Sequence, residues 1–312
     1  MGDIKILIIG YGSIGQRHFS LLKQRSDVEC VHYVSQYTEG EGRISTSLKL
    51  LSDSELSLYD VFFICSETIQ HEEQLLFIDN KVTDKIILVE KPLFSKASQY
   101  IVKNKVLVTY NLRFHPVIQK IKVLLKGERL LSYSAAAGQY LPSWRPSQDY
   151  KLSYSSELTR GGGVLRDLSH EIDYTIYLCG EIKLRSALAS GHSHLQLNSD
   201  DTCTILATNN HNAHIQVHMD YLSYRPKREI EIQTDNMTIS ASLIDNEINV
   251  YYPSGKTVNF VFKELGRDFT YKAMYVDILQ NSYHTCTTYI EANRTMQLID
   301  NITSNYMDKS WL

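Results

Sequence analysis

Lys5-Ile-Leu-Ile-Ile-Gly-Tyr-Gly-Ser-Ile-Gly15, followed at once by Gln16-Arg17-His18, decides how this chain is read. The unbroken apolar run Ile6–Ile9 predicts a strand buried on both faces, the pattern of a parallel sheet. Gly10, Gly12 and Gly15 then stand at Gly-x-Gly-x-x-Gly spacing, and Ser13 to Lys23 has the apolar rhythm of a helix through Ile14, Phe19, Leu21 and Leu22. In such a strand–turn–helix the first glycine makes the tight turn and the second lets a pyrophosphate approach the backbone. The third lets helix and strand pack closely. The helix start supplies N–H groups and partial positive charge for phosphates. Gly10, Tyr11, Gly12, Ser13, Ile14 and Gly15 are therefore the expected cofactor-binding turn of a dinucleotide fold.

The rest of the chain has room for more than this one unit. With 312 residues it can hold two domains with substantial cores. Its 32 basic and 35 acidic residues are spread without runs, for a net charge of -3. That gives no electrostatic footprint for nucleic acid or an anionic membrane surface. No apolar run reaches transmembrane length, and Met1-Gly-Asp-Ile-Lys leads straight into the first strand, leaving no room for a signal peptide. Five scattered cysteines, with no metal-ligand spacing, fit reduced thiols and a cytoplasmic location.

Further strands alternate with helices. Val28–Val34 is the second strand, ending at Ser35, where an acidic residue would bind a ribose 2′-hydroxyl. Serine repels no 2′-phosphate, and no arginine adjoins it to hold one, so NAD and NADP both stay open. Tyr59 to Ser66 is another buried strand, and His71 at the next helix start reads either as a cofactor-lining residue or as a polar cap. Lys85–Pro92 ends in Glu90-Lys91-Pro92, which places a lysine at the carboxyl end of a parallel strand, where ligands bind in such sheets. Val106 onward is a further strand, breaking at Pro116 into a helix to Leu125.

Taken with the glycine turn, Glu90-Lys-Pro92, Asn111-Leu-Arg-Phe-His-Pro116 and Gly161-Gly-Gly-Val-Leu-Arg-Asp167-Leu-Ser-His170-Glu-Ile-Asp173 follow in an order that resembles the glucose-fructose oxidoreductase / inositol dehydrogenase (Gfo/Idh/MocA) family. The segment Gly138–Pro146, with Asp149, Tyr150 and Tyr154, is similar to the branch associated with surface-polysaccharide and nonulosonic-acid sugars. The resemblance implies an α/β fold in two parts. A doubly wound Rossmann-type parallel sheet domain over 1–114 would precede an α+β domain over 115–312 with a large open antiparallel sheet. It also implies NAD or NADP as cofactor, a sugar, sugar-nucleotide or polyol substrate, and a homodimer or homotetramer through the C-terminal sheet.

On that basis Lys91, His170 and Asp167 are the expected catalytic residues. Ser35, Ser66, His71, Glu90 and Lys91 join the glycine turn around the cofactor. Arg113, Trp144, Arg145, Tyr150, Asp167 and His170 are assigned to the substrate. Trp144, Arg145 and Tyr150 lie in a long loop, Tyr140 to Ser156, where they would stack on a sugar and hold an anionic group, or anchor a subunit contact. Val164–Leu178 is expected to be one helix carrying Asp167, His170 and Asp173 three apart along one face. The family spaces its aspartate and histidine four apart, so matching His170 to its catalytic histidine assumes one deleted residue. The chemistry implied is hydride transfer at a hydroxyl-bearing carbon of the sugar, with Lys91 or His170 accepting the proton. A cofactor-binding sensor that has lost turnover is the competing reading.

From Lys183 to Lys263 the pattern is strand after strand. Hairpins are expected at Asn209-Asn210, Asp235-Asn236 and Pro253-Ser-Gly. His211, His214 and His218 alternate across a pleat and read as ordinary sheet residues, with no metal site.

Overall fold

A computed structural model describes residues 4–144, 146, 149–263, 265–308 and 310. The chain divides into two compact units. Unit 1 comprises Met1–Tyr110 and Cys286–Met296, and unit 2 comprises Asn111–Thr285 and Gln297–Leu312. Arg145, a predicted substrate residue, lies outside the described residues.

In unit 1 the apolar runs form the parallel strands β1 (Ile4–Ile9), β2 (Val28–Val34), β3 (Arg43–Ser45), β4 (Val61–Ile64), β5 (Ile86–Val89) and β6 (Lys105–Val108). They lie in the order β6-β5-β4-β1-β2-β3, a doubly wound arrangement that reverses at β1. Ile6, Leu7, Ile8, Phe62, Phe63, Ile64 and Ile87 are almost completely buried, as strands covered on both faces require. The connecting helices are α1 (Ser13–Leu22), α2 (Asp53–Ser57) and α3 (Thr68–Asp79). Because every strand from β1 to β6 points the same way, the turns that follow β1, β2, β4 and β5 share one edge of the sheet.

Unit 2 holds α4 (Pro116–Leu124), β7 (Leu130–Gly138), α5 (Val164–Asp167), α6 (Ser169–Cys179) and strands β8 (Ile182–Ser190), β9 (Thr202–Asn209), β10 (His214–Asp220), β11 (Lys227–Thr234), β12 (Thr238–Ser242), β13 (Glu247–Tyr251) and β14 (Thr257–Val261), then α7 (Phe269–Leu279). The eight strands lie in the order β14-β13-β12-β11-β7-β10-β9-β8. All pairs are antiparallel except β7 with β10. Alternation decides the faces: Cys203, Ile205 and Ala207 on β9 are buried, while Leu206 between them is exposed. The three expected hairpins form where the turn residues predict them. A two-residue strand, β15 (Thr287–Thr288), returns to pair antiparallel with β6, and α8 (Tyr289–Asn305) follows. A linear boundary misses this return of Cys286–Met296 to unit 1.

The expected single helix from Val164 to Leu178 is corrected: it is two helices, broken at Leu168 with φ -98° and ψ 24°. The first of the two pieces is fastened from outside. Asp200, 35 residues along, accepts Leu165 N–H on its carboxylate at 2.8 Å, and its carbonyl accepts Val164 N–H at 2.9 Å. These bonds satisfy the start of α5 from outside the helix, and α6 then begins afresh, with Glu171 N–H on the Leu168 carbonyl.

Candidate active site

The glycine turn lies in unit 1. Gly10 follows β1 with φ +91°, and a Cβ there would stand 2.7 Å from Ser66 N, so the β4 end leaves space for glycine alone. A Cβ on Gly15 would overlap the Gly10 carbonyl oxygen. Gly12 is different. It caps α1 in extended conformation, and no heavy atom lies within 4 Å of where its Cβ would be. Nothing in the protein's own packing demands a glycine there. What the missing side chain leaves is open backbone at a helix start, the space that a bound phosphate needs.

Tyr11 does not fill that space. Its ring stacks on Tyr33 at 3.7 Å between centroids and 11°, and meets Phe19 edge-on at 5.4 Å. Ser13 and Ile14 form the first turn of α1. Ser35, buried at the end of β2, accepts Thr38 N–H on its hydroxyl at 3.1 Å. Arg43 nearby on β3 is paired with Glu39 at 3.0 Å. The β2 end therefore presents a neutral hydroxyl with no acidic side chain in the expected place.

Lys91 stands two residues beyond β5, partly buried, with a cis bond to Pro92. It lies on the same sheet edge as the glycine turn, with only β4 between their strands. Glu90 is buried against His18, with Oε1 2.8 Å from Nε2. Burial raises the Glu90 pKa, but bonds from His18 and Thr109 and the Lys91 charge outweigh it and hold the carboxyl below its ordinary value. His71 is also buried. Its Nδ1 lies 3.1 Å from Pro92 O and 3.2 Å from Leu93 O, and its Nε2 lies 3.1 Å from Ser66 O. Ser66 donates its hydroxyl to Gln74 at 2.6 Å. Glu90 and His71 therefore brace the lysine's segment from inside, and neither projects from the sheet edge.

Unit 2 carries its own cluster of predicted residues. Asp167 ends α5 and accepts the Tyr221 hydroxyl at 2.7 Å, both groups being buried. Burial first, then the Asp167 charge, pushes the Tyr221 pKa well up, so the phenol stays a donor. Trp144 packs edge-on against Tyr221 at 5.3 Å and 89°, and its indole N–H is buried without a partner among the described residues. The structure thus brings Asp167 and Trp144 together through Tyr221, at the end of β10. His170 lies in the first turn of α6, partly buried, and so on a different helix from Asp167. Tyr150 is partly buried in a short turn begun by Asp149, which accepts Lys151 N–H at 3.0 Å.

One residue assigned to the substrate, Arg113, is engaged in holding the fold. Arg113 and Asp173 form a bidentate pair, 2.8 Å at each bond, with side chains 2 % exposed. Arg113 also lies over the Tyr177 ring at 4.8 Å. A guanidinium committed in this way has little left to offer an anionic substrate. Arg228 likewise bonds the fully buried Glu171 at 2.7 Å. His218 bonds Thr204 at 2.9 Å and Asp220 at 3.2 Å across the sheet face.

Three residues outside the predicted site emerge beside it: His18, Tyr221 and Asp200. Asp200 is fully buried, and a Cβ on Gly163 (φ +102°) would overlap its carboxylate. Burial pushes its pKa up to about 6, Leu165 N–H and Arg166 pull against this, and Asp167 adds to it. An acid whose folded pKa exceeds its unfolded value of ~3.9 binds more protons when native, so its contribution falls as pH rises between the two. The fall amounts to about 3 kcal/mol over roughly pH 4 to 6. In Asp200→Asn, whose amide oxygen still accepts Leu165 N–H, urea unfolding should show that much less loss over this range than the parent chain.

Comparison with known proteins agrees with this anatomy. Residues 118–240 match the GFO/IDH/MocA C-terminal domain model. None of the curated proteins matches the chain. Solved structures of similar fold include UDP-N-acetylglucosamine 3-dehydrogenase GnnA from Acidithiobacillus ferrooxidans, 16% identical over 98% of both chains with a TM-score of 0.74. The WlbA dehydrogenase from Bordetella pertussis in complex with NADH and UDP-GlcNAcA is 16% identical over 97% of this chain and 96% of that one, with a TM-score of 0.73. A super-repressor mutant of Gal80p from Saccharomyces cerevisiae is 14% identical over 97% and 95%, with a TM-score of 0.79. The fold of the whole chain is similar to that of these structures and residues 118–240 match the GFO/IDH/MocA C-terminal domain, which agrees with the resemblance read from the motifs. Among the described residues no helix is long and apolar enough to cross a membrane.

Proposed function

We propose that the protein is an NAD(P)-dependent oxidoreductase that moves a hydride to or from a hydroxyl-bearing carbon of a sugar, sugar nucleotide or related polyol. One observation carries the reading. The open backbone at Gly12, where the strand order reverses, and the Lys91 segment, two strands away, share the carboxyl edge of one parallel sheet. That edge is where doubly wound sheets hold nucleotides. The similar structures of GnnA, a UDP-N-acetylglucosamine 3-dehydrogenase, and of WlbA, a dehydrogenase in complex with NADH and UDP-GlcNAcA, support the substrate class.

The residues present fit a dinucleotide. Gly10–Gly15 would hold the pyrophosphate at the start of α1. Ser35, neutral and hydrogen-bonded to its own turn, is compatible with either coenzyme. When bound, the nicotinamide supplies the hydride chemistry. The chain's own part is to hold the substrate and move one proton at its oxygen, because an alcohol releases hydride only as that proton is withdrawn. In this reading His170 takes or returns the proton, since imidazole titrates near neutrality without help. Lys91 stabilises charge on the reacting oxygen, or accepts the proton itself. Asp167 orients the substrate hydroxyl, kept in register by Tyr221, and Trp144 offers an apolar face with an indole donor. A homodimer or homotetramer through the open face of the eight-stranded sheet completes the proposal, supported by exposed Leu188 and Leu206 on that sheet.

The test is absorbance in the reduced-nicotinamide band, with NAD and NADP, against a panel of UDP-, CMP- and free sugars. Turnover of at least one of these is expected. Tightly bound coenzyme whose redox state none of them changes would overturn the enzyme reading in favour of a sensor.

A further inference from the structure

Lys91 is carried by the short segment Glu90–Leu93, and this segment rests on two buried histidines from different helices. On one side is His18, in the middle of α1 and 0 % exposed, with Nε2 2.8 Å from Glu90 Oε1. The other oxygen of the same carboxylate accepts the Lys91 backbone N–H at 3.3 Å. On the other side is His71 of α3, 1 % exposed, with Nδ1 facing the carbonyls of Pro92 and Leu93 and Nε2 facing that of Ser66. One imidazole thus reaches the residue before Lys91, and the other reaches the two residues after it.

Burying an imidazole costs free energy unless its nitrogens are bonded, and an apolar side chain of similar size would fill either place without that cost. What these two histidines add to packing is therefore their polar contacts: His18 meets Glu90, and His71, with its proton on Nδ1, donates to the Pro92 and Leu93 carbonyls of the same segment. A lysine ammonium rides on a flexible four-carbon stem, so its placement depends on how firmly its backbone is held. His18 also belongs to the helix that opens at Gly12, so a single helix touches both the phosphate turn and the lysine's segment.

We propose that His18 and His71 are positioning residues for Lys91, His18 acting through Glu90 and His71 through the carbonyls of Pro92 and Leu93. The importance of the lysine rests on the function proposed above; the bracing itself does not.

The test compares His18→Gln and His71→Gln, whose amides still donate a hydrogen bond, with His18→Leu and His71→Leu, which fill the space but cannot. The intact chain is labelled with limiting acetic anhydride, and modification of Lys91 is read by peptide mass spectrometry against exposed Lys96. Near-UV circular dichroism checks that each variant is folded. Both leucine variants should label Lys91 about tenfold faster or more, the scale of losing a bond to a charged or buried polar group. The glutamine variants should stay within about twofold of the parent chain, because a replacement donor retains most of such a bond. Folded leucine variants that label at the parent rate would overturn the proposal. Should they not fold, Glu90→Gln decides, since it keeps the shape and removes the charge: faster labelling supports the bracing, and an unchanged rate overturns it. NADH fluorescence titration of the parent chain, run separately, tests the functional reading. Absence of coenzyme binding would sink that reading and leave the labelling result to decide the bracing.

Discussion

Lys91→Ala is expected to lower turnover by ~100-fold or more while leaving coenzyme affinity nearly unchanged. The two halves of that expectation have separate physical grounds. The lysine's backbone is held by the Glu90 carboxylate on one side, and the carbonyls beyond it by His71 on the other, and neither hold uses the ammonium. Removing the side chain should therefore leave Glu90, His18 and the glycine turn where they are. What disappears is the cation that the reacting oxygen would meet as its charge develops. His170→Ala should give a loss of the same order if the imidazole is the group that accepts the proton. The pH dependence of turnover in the two variants assigns the roles: the variant that loses the rise in rate with pH has lost the base. Full activity in Lys91→Ala would remove this lysine from the chemistry. Weakened coenzyme binding in the same variant would place its contribution at the cofactor and not at the reacting oxygen.

The second large effect is on stability. Arg113→Ala should destabilise unit 2 by about 3–5 kcal/mol, read as a lower urea midpoint. Asp173 is 1 % exposed, and its two oxygens take the guanidinium bonds of Arg113 at 2.8 Å each. Alanine would leave an uncompensated buried carboxylate on α6 and remove the contact over Tyr177. The pair as a whole is worth much less than that loss, because both ions were desolvated to make it. Arg113→Met combined with Asp173→Leu should therefore recover most of the stability that the single change loses. If Arg113→Ala proved as stable as the parent chain, the arginine would be free for another task, and its place among substrate residues would return.

Unit 1 shows how far local pattern carries. The β1 run, the glycine spacing and the onset of α1 are contiguous, and each is decided by neighbours within a few residues. The buried strands at Val61–Ile64 and Ile86–Val89 announce themselves by unbroken apolar character. The hairpins of unit 2 follow from turn residues between alternating strands. The candidate site was less legible. Asp167 and His170 read as partners on one helix, yet the break at Leu168 separates them, and Asp200, which no helical periodicity registers, holds the start of the first piece. Arg113 looked available to a substrate until Asp173, 60 residues away, was found holding it. His18 read as one residue of a helix, while its partner Glu90 stands 72 residues on.

The sequence by itself determined the class of fold, the order of its elements, the phosphate turn and the strand end that carries Lys91. All of these follow from short-range sterics and from the period at which apolar residues recur. The tertiary structure alone decided which charged side chains are spent on one another, through His18–Glu90, Arg113–Asp173 and Glu171–Arg228, and which are left at a site. A buried charge is stable only beside its counter-charge, and which distant residue supplies it depends on packing between elements far apart in the chain.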